Sequence, residues 1–211
     1  MKIALIGASG YVGSALRDEA LARGHQVSAL AGHPEKLPAH PKLTALKVDV
    51  MNEQALADKL RKHHAVISAF SGHAQPDVRA YYMQGMRHIL NAVRLAGVPR
   101  LLVVGGAGAL NVGPGQALLD TPDFPKEWKA TAEGARDALA LLRACDLDWT
   151  MLSPSAMLEP GRRTGQFRLG KDDLLVDDKG DSRISTQDYA MAMLDEVERP
   201  RHTRMRFTVG Y

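Results

Sequence analysis

"KIALIGASGYVGSAL", residues 2–16, decides how this chain folds. Five residues suited to a buried strand, Lys2 to Ile6, run straight into Gly7, Gly10 and Gly13 at intervals of three. An apolar helical face follows at Val12, Ala15, Leu16 and Ala20. Three positions without side chains between a strand and a helix serve three ends. The first lets the chain turn, the second lets backbone approach a pyrophosphate, and the third lets helix and strand pack closely. The N–H groups that open the helix then form an anion site. The motif carries weight only at the head of a βαβ unit, so the rest of the chain has to supply one.

It does. Apolar runs at 2–7, 26–30, 43–48, 65–70, 100–105 and 148–152 alternate with helical patterns at 11–23, 52–62, 77–96 and 126–144. The runs are rich in Val, Ile and Leu without clean alternation, as strands covered on both faces are. Gly24 and Gly97 stand where helices should stop, Asn52 and Asp77 where N-caps belong. The connection "AGHPEKLPAHPK" holds three prolines and reads as carrying little helix. The alternation predicts right-handed crossovers and an α/β, doubly wound parallel sheet of Rossmann type. Residues 1–152 form its dinucleotide-binding core. Residues 153–211 form a short C-terminal, substrate-side extension of the same domain: a polar loop over 153–173, a hairpin turning at Asp178, Lys179 and Gly180, a helix closed by Pro200, and a last strand "MRFTVGY".

At 211 residues the chain suits a single domain, long enough to bury roughly 70% of its unfolded surface. Its net charge is +3 and its pI about 9.0, but the basic residues are dispersed and not interleaved with aromatics, so no nucleic-acid partner is expected. The one cysteine, Cys145, excludes an internal disulfide and a Cys-based zinc site and reads as a buried structural thiol. His63 and His64 adjoin with no third ligand in register, so no metal is expected. No run approaches the ~20 apolar residues of a membrane span. Residues 1–13 lack the pattern of a signal peptide, so the expected compartment is the cytoplasm, with no membrane partner.

Beyond the glycines, "HPEKL", "VISAF", "LLVVGGAGAL", "DTPDFP", "LDWTMLSPS", "RTGQFRLG", "ISTQDYAMAMLDEVERP" and "RFTVGY" occur in order along the whole chain. Together they resemble the atypical short-chain dehydrogenase/reductase superfamily and its NAD(P)H-binding, NmrA-like group. The likeness is greatest to the bacterial branch named NADH-flavin reductases, and more distant to biliverdin-IXβ/flavin reductase. The resemblance implies a pyrophosphate held at Gly7, Gly10 and Gly13, with Ser9, Tyr11 and Val12 lending contacts. It implies adenine at Asp49 and Val50, ribose at Ala69, Phe70 and Ser71, and nicotinamide bordered by Gly105, Gly106, Ala107, Ser153, Pro154 and Ser155. A simple turn-capping role for Asp49 is the alternative.

NAD binders usually place a carboxylate about twenty residues past the first glycines. Here that place reads Ala31, Gly32, His33, with no acid before Glu35 and no arginine at Gly32, where related sequences often carry one. His33 and Lys36 are the available basic groups. NADPH is therefore preferred over NADH.

The Tyr-x-x-x-Lys pair that most of the superfamily uses to move a proton is missing. Four residues beyond Tyr11, Tyr81, Tyr82 and Tyr189 stand Ala15, Gly85, Met86 and Met193. The fifth strand ends in "VVGGAG", without the partner serine. Alcohol oxidation, epimerisation and dehydration lose their usual acid–base group. Hydride transfer to a flavin or quinone-like acceptor survives, because alignment of two rings is enough. No side chain is assigned a catalytic role. Phe124, Trp128 and Phe167 are candidate stacking faces, and Arg163 or Arg168 a candidate partner for a flavin phosphate or carbonyl. For each, a structural role is the alternative, with the arginines paired to Asp172 or Asp173. The expected assembly is a monomer or homodimer. A different class also fits, a regulator that senses NAD(P) without turnover.

Overall fold

The computed structural model describes residues 1–73 and 75–211. Eight strands form the main sheet: β1 (Lys2–Ile6), β2 (Gln26–Ala31), β3 (Leu43–Lys47), β4 (Ala65–Ser68), β5 (Leu101–Val104), β6 (Trp149–Ser153), β7 (Arg168–Gly170) and β8 (Met205–Gly210). Their order is β7-β8-β6-β5-β4-β1-β2-β3, parallel throughout except that β7 runs antiparallel to β8. The chain winds outward from β1 through β2 to β3, then returns to start again at β4 on the other side of β1. That reversal opens a crevice at the carboxyl ends of β1 and β4. The last strand is not an appendage: β8 lies inside the sheet, between β6 and β7.

Among the described residues, five helices cover the sheet: α1 (Tyr11–Ala22), α2 (Glu53–Leu60), α3 (Val78–Ala96), α4 (Lys126–Arg143) and α5 (Thr186–Glu198). Successive strand residues point to opposite faces, so each inner strand feeds two cores. Ala4, Ile6, Val66, Leu101, Val103, Trp149 and Met151 pack under α2, α3 and α4. Ile3, Leu5, Ile67, Leu102, Leu152, Phe207 and Val209 pack under α1 and α5. This is why the strand sequences are continuously apolar. Asn52 and Asp77 cap α2 and α3 as expected, each accepting from the N–H three residues on.

The segment over residues 31–42 holds only a short 3₁₀ turn at Pro34–Lys36, as its prolines imply. Two expectations fail. The Asp178–Gly180 turn forms, with Asp177 accepting from the Lys179 and Asp181 N–H groups, but its arms do not pair as a hairpin. Residues 183–185 instead run parallel to residues 157–159, because the polar loop turns back to meet them. Cys145 lies just past the end of α4 and is half-buried rather than buried. His63 is a core residue, its ring bonded to Ser28 Oγ at 2.8 Å and to the Leu60 carbonyl at 2.9 Å, and burial pushes its pKa down.

Candidate functional site

The cofactor residues nominated from sequence fall within a few positions of the carboxyl ends of β1 to β6. They therefore line one edge of the sheet, in the spatial order Asp49, Gly32, Gly7, Ala69, Gly105, Ser153. Five strand spacings of ~4.8 Å make that edge about 24 Å long, a groove for an extended ligand.

At its centre, Gly7 has a left-handed φ of +79°, and a Cβ there would sit 2.5 Å from the Ala69 carbonyl oxygen. A Cβ on Gly13 would sit 2.0 Å from the Gly7 carbonyl oxygen, so only glycine lets α1 pack this closely on the loop. Gly10 differs. Its φ of −77° suits any residue, and the one atom near a built Cβ is the Gly7 oxygen at 3.2 Å. No other atom lies within 4 Å of that built Cβ, so the space that Gly10 leaves open is available to a ligand. Asn52, Asp77 and Ser185 cap α2, α3 and α5 with their side chains, whereas α1 begins at Gly10 with no side-chain cap. Its first N–H groups are left for an anion.

At the far end of the groove, Ser153 is 1% exposed, and its Oγ has no hydrogen-bond partner among the described residues. Ser155 is equally buried but donates to the Val209 carbonyl at 2.9 Å. An orphaned hydroxyl of this kind is uncommon in a native fold, but this one is sealed by its neighbours, so a ligand would reach it only if they shift. The cradle fits a nicotinamide dinucleotide.

Several nominated side chains face elsewhere. Val12 packs partly into the α1–α5 core, so only its backbone can reach the pyrophosphate. Val50 is buried under α2 and does not face the groove, while Asp49 is exposed, its Oδ1 accepting from the Met51 N–H at 2.9 Å. The turn-capping alternative for Asp49 is therefore realised, with its other oxygen left over. Phe70 turns its ring onto α3, stacked at 10° on Tyr82 and filling the space beside Gly85, so only backbone there can meet a ribose. His33 is exposed and paired with Glu35 at 3.0 Å, whereas nothing lies within 4 Å of a Cβ built on Gly32.

The acceptor candidates divide. Arg163 does not face the groove: it grips Glu19 with two bonds of 2.7 and 2.9 Å. Glu19 lies eight residues, about 12 Å, down α1 from Tyr11. The hydrogen bond from Arg163 holds the Glu19 carboxyl below the usual carboxylate range, against burial and with help from Arg23. Arg168 donates to the carbonyls of Val176 and Tyr211, and Phe167 packs against the α1–α5 core. Asp172, the expected arginine partner, is held by Arg206 instead. Phe124 is half-buried. Trp128, at 55% exposure, is the large aromatic side chain that stays available on the α4 side. The loop over 156–167 runs along α1 and α5, and with the start of α1 it encloses a cleft of about 310 Å³. Ser9, Gly10, Tyr11, Ser14, Pro160, Thr186 and Gln187 are in its wall.

One network was not legible in the sequence. Asp188, fully buried, accepts from the Thr164 N–H (2.8 Å), the Thr164 hydroxyl (2.6 Å), the Gly165 N–H (2.9 Å) and the Tyr211 hydroxyl (2.7 Å). Burial alone would push its pKa up, but these bonds outweigh it and hold the carboxyl below its usual range. They fasten "RTGQF" and the last residue to α5. This is the physical reason why those two motifs occur together.

The profile of the NAD(P)H-binding family matches residues 7–200. The chain belongs to the NAD(P)H-binding family. Within it, this NAD(P)H-binding protein is an atypical, NmrA-like short-chain dehydrogenase/reductase. It is 41% identical over 213 residues to the uncharacterized protein YwnB of Bacillus subtilis, covering 99% of this chain and 98% of that protein. Among solved structures, a Bacteroides thetaiotaomicron protein provisionally named an epimerase is 42% identical, with a TM-score of 0.94, over 100% of this chain and 96% of that one. A Streptococcus pneumoniae protein provisionally named an NADH-flavin reductase is 37% identical, with a TM-score of 0.88, over 100% and 99%. The cofactor class is thus a nicotinamide dinucleotide. Among the described residues, no helix is long and apolar enough to cross a membrane.

Proposed function

We propose that this protein is an NAD(P)H-dependent reductase that passes hydride to a flavin or a similarly conjugated acceptor, and that it does so by alignment. The observation that carries this reading is the state of its phenols beside a cofactor cradle that fits. The Tyr11 hydroxyl donates to the Leu158 carbonyl, that of Tyr189 to the Leu152 carbonyl, and that of Tyr211 to Asp188. Burial pushes the phenols of Tyr82 and Tyr189 well up. Among the described residues, no lysine is bonded to any of them. An acceptor that must take a proton at an alcohol or carbon centre finds no lysine-activated phenol here, which argues against the chemistry that the Bacteroides relative's name suggests. A conjugated ring that spreads its own charge needs none.

In this mechanism the first turn of α1 binds the pyrophosphate through backbone N–H groups. The backbone after β4 bounds the ribose, and the strand ends at Gly105 and Ser153 fix the nicotinamide ring. When bound, the dinucleotide supplies the hydride. The chain supplies orientation and excludes competing poses, the largest device open to a site without an acid–base pair.

For the cofactor we infer NADPH over NADH, from the absence of an acid at residues 31–33 and the open space at Gly32. Gly32→Arg should widen that preference by about 1–3 kcal/mol, the size of one charge-assisted contact to a 2′-phosphate. Equilibrium titration of both cofactors measures it. Tenfold tighter binding of NADH by the unmodified protein would overturn the assignment.

A further inference from the structure

Thr131 Oγ1 lies 3.2 Å from Nε2 of His73, and the His73 ring meets Trp128 edge-on, with centroids 6.4 Å apart. These residues come from two elements that the fold brings to the same edge of the sheet. His73 follows the backbone that ends β4. Trp128 and Thr131 stand on the first two turns of α4, which begins at that edge. On α4, Trp128, Thr131, Ala132 and Ala135 fall at i, i+3, i+4 and i+7, a single stripe. The inner half of the stripe is packed against the nicotinamide-bordering loop: Cβ atoms built on Gly106 and Gly108 would lie 3.1 Å from Ala135 Cβ and 2.6 Å from Ala132 Cβ. The outer half, with the 55% exposed indole, continues past that loop and meets His73. His73 Nδ1 has no hydrogen-bond partner among the described residues.

We propose that Trp128, His73 and Thr131 form the acceptor subsite. The indole is its wall. The imidazole–hydroxyl pair is a polar edge that reads a planar ring carrying adjacent hydrogen-bond donors and acceptors, as the imide of an isoalloxazine does. An aromatic wall with a few converging polar groups is the usual make-up of a small-molecule site. A threonine hydroxyl and an imidazole each donate and accept, so the valences left over from the Thr131–His73 contact can meet an N–H or a carbonyl at the ring's edge. This deepens the reductase reading and rests on it: the subsite selects flavins among conjugated acceptors.

The test is equilibrium binding, separate from turnover. Riboflavin and 3-methylriboflavin, whose imide N–H is blocked, are titrated into the NADP⁺-saturated protein and followed by the flavins' own fluorescence. The unmodified protein should bind riboflavin at least fivefold more tightly than the methylated analogue. That preference should vanish in both His73→Ala and Thr131→Val, while Trp128→Ala weakens both ligands. A preference absent from the unmodified protein, or intact in the two polar variants, overturns the subsite. Steady turnover of a naphthoquinone alongside such a result would leave the reductase reading standing and remove this proposal alone.

Discussion

Gly10→Val should abolish dinucleotide binding, by at least ~100-fold or about 2.7 kcal/mol, while the protein still folds. The backbone at Gly10 is extended, with φ −77° and ψ 176°, a conformation that valine adopts readily. Its Cβ would press on the Gly7 oxygen at 3.2 Å, a contact that a shift of a few tenths of an ångström relieves. The branched methyls would then occupy the space over the first N–H groups of α1, where the pyrophosphate has to approach. Gly13→Val is the contrast. A Cβ 2.0 Å from the Gly7 oxygen cannot be accommodated, so that variant should lose its fold and not merely its ligand. Isothermal titration with NADPH and a thermal melt separate the two. Unchanged cofactor affinity in Gly10→Val would remove the cradle from the site.

Asp188→Ala should be the most destabilising change outside the glycine loop. It leaves the Thr164 and Gly165 N–H groups and the Thr164 and Tyr211 hydroxyls without their acceptor. At 1–3 kcal/mol for each donor left unsatisfied, and with partial relief by water, the loss is roughly 3 kcal/mol. That corresponds to about 6–12 °C of Tm for a domain of this size. The pH dependence follows from the sign of the shift. The folded Asp188 carboxyl titrates below its unfolded value, so its stabilisation is fully present above the ordinary carboxylate pKa of about 3.9 and is lost as pH falls through the lower folded value. The Tm gap between unmodified protein and variant should therefore be constant above about pH 5 and shrink below about pH 4. A gap that widens on acidification would contradict the assignment.

How much of this was legible in the sequence depended on distance along the chain. The glycine loop, the strand sequence and the caps at Asn52 and Asp77 are local patterns, and each appears where its spacing places it. That the nominated cofactor residues stand at the carboxyl ends of strands follows from the strand–helix alternation, so the ligand-binding edge was legible too. The fate of the loop over 153–173 was not. Its anchors are Glu19, which meets Arg163 across 144 residues, and Asp188 and Tyr211, whose roles emerge only when β8 enters the sheet. The same holds for His73: its partner Thr131 lies 58 residues away, and no spacing rule joins them. Side-chain direction was the other gap. Val50 and Phe70 hold the expected places along the edge, but the core beneath α2 and α3 takes their side chains and leaves backbone to the ligand.

The central claim is that an aligned hydride passes to a conjugated acceptor with no phenol–lysine pair. Stopped-flow mixing of the NADPH-loaded protein with riboflavin or FMN, following nicotinamide absorbance in a single turnover, tests it most directly. The account predicts oxidation well above the uncatalysed rate with flavin or quinone, slow reaction with simple ketones, and less than a tenfold change in the chemical step for Tyr11→Phe and Tyr189→Phe. Saturating dinucleotide that binds yet reduces neither flavin nor quinone above the uncatalysed rate would contradict it, and would leave the chain a sensor of NAD(P) instead.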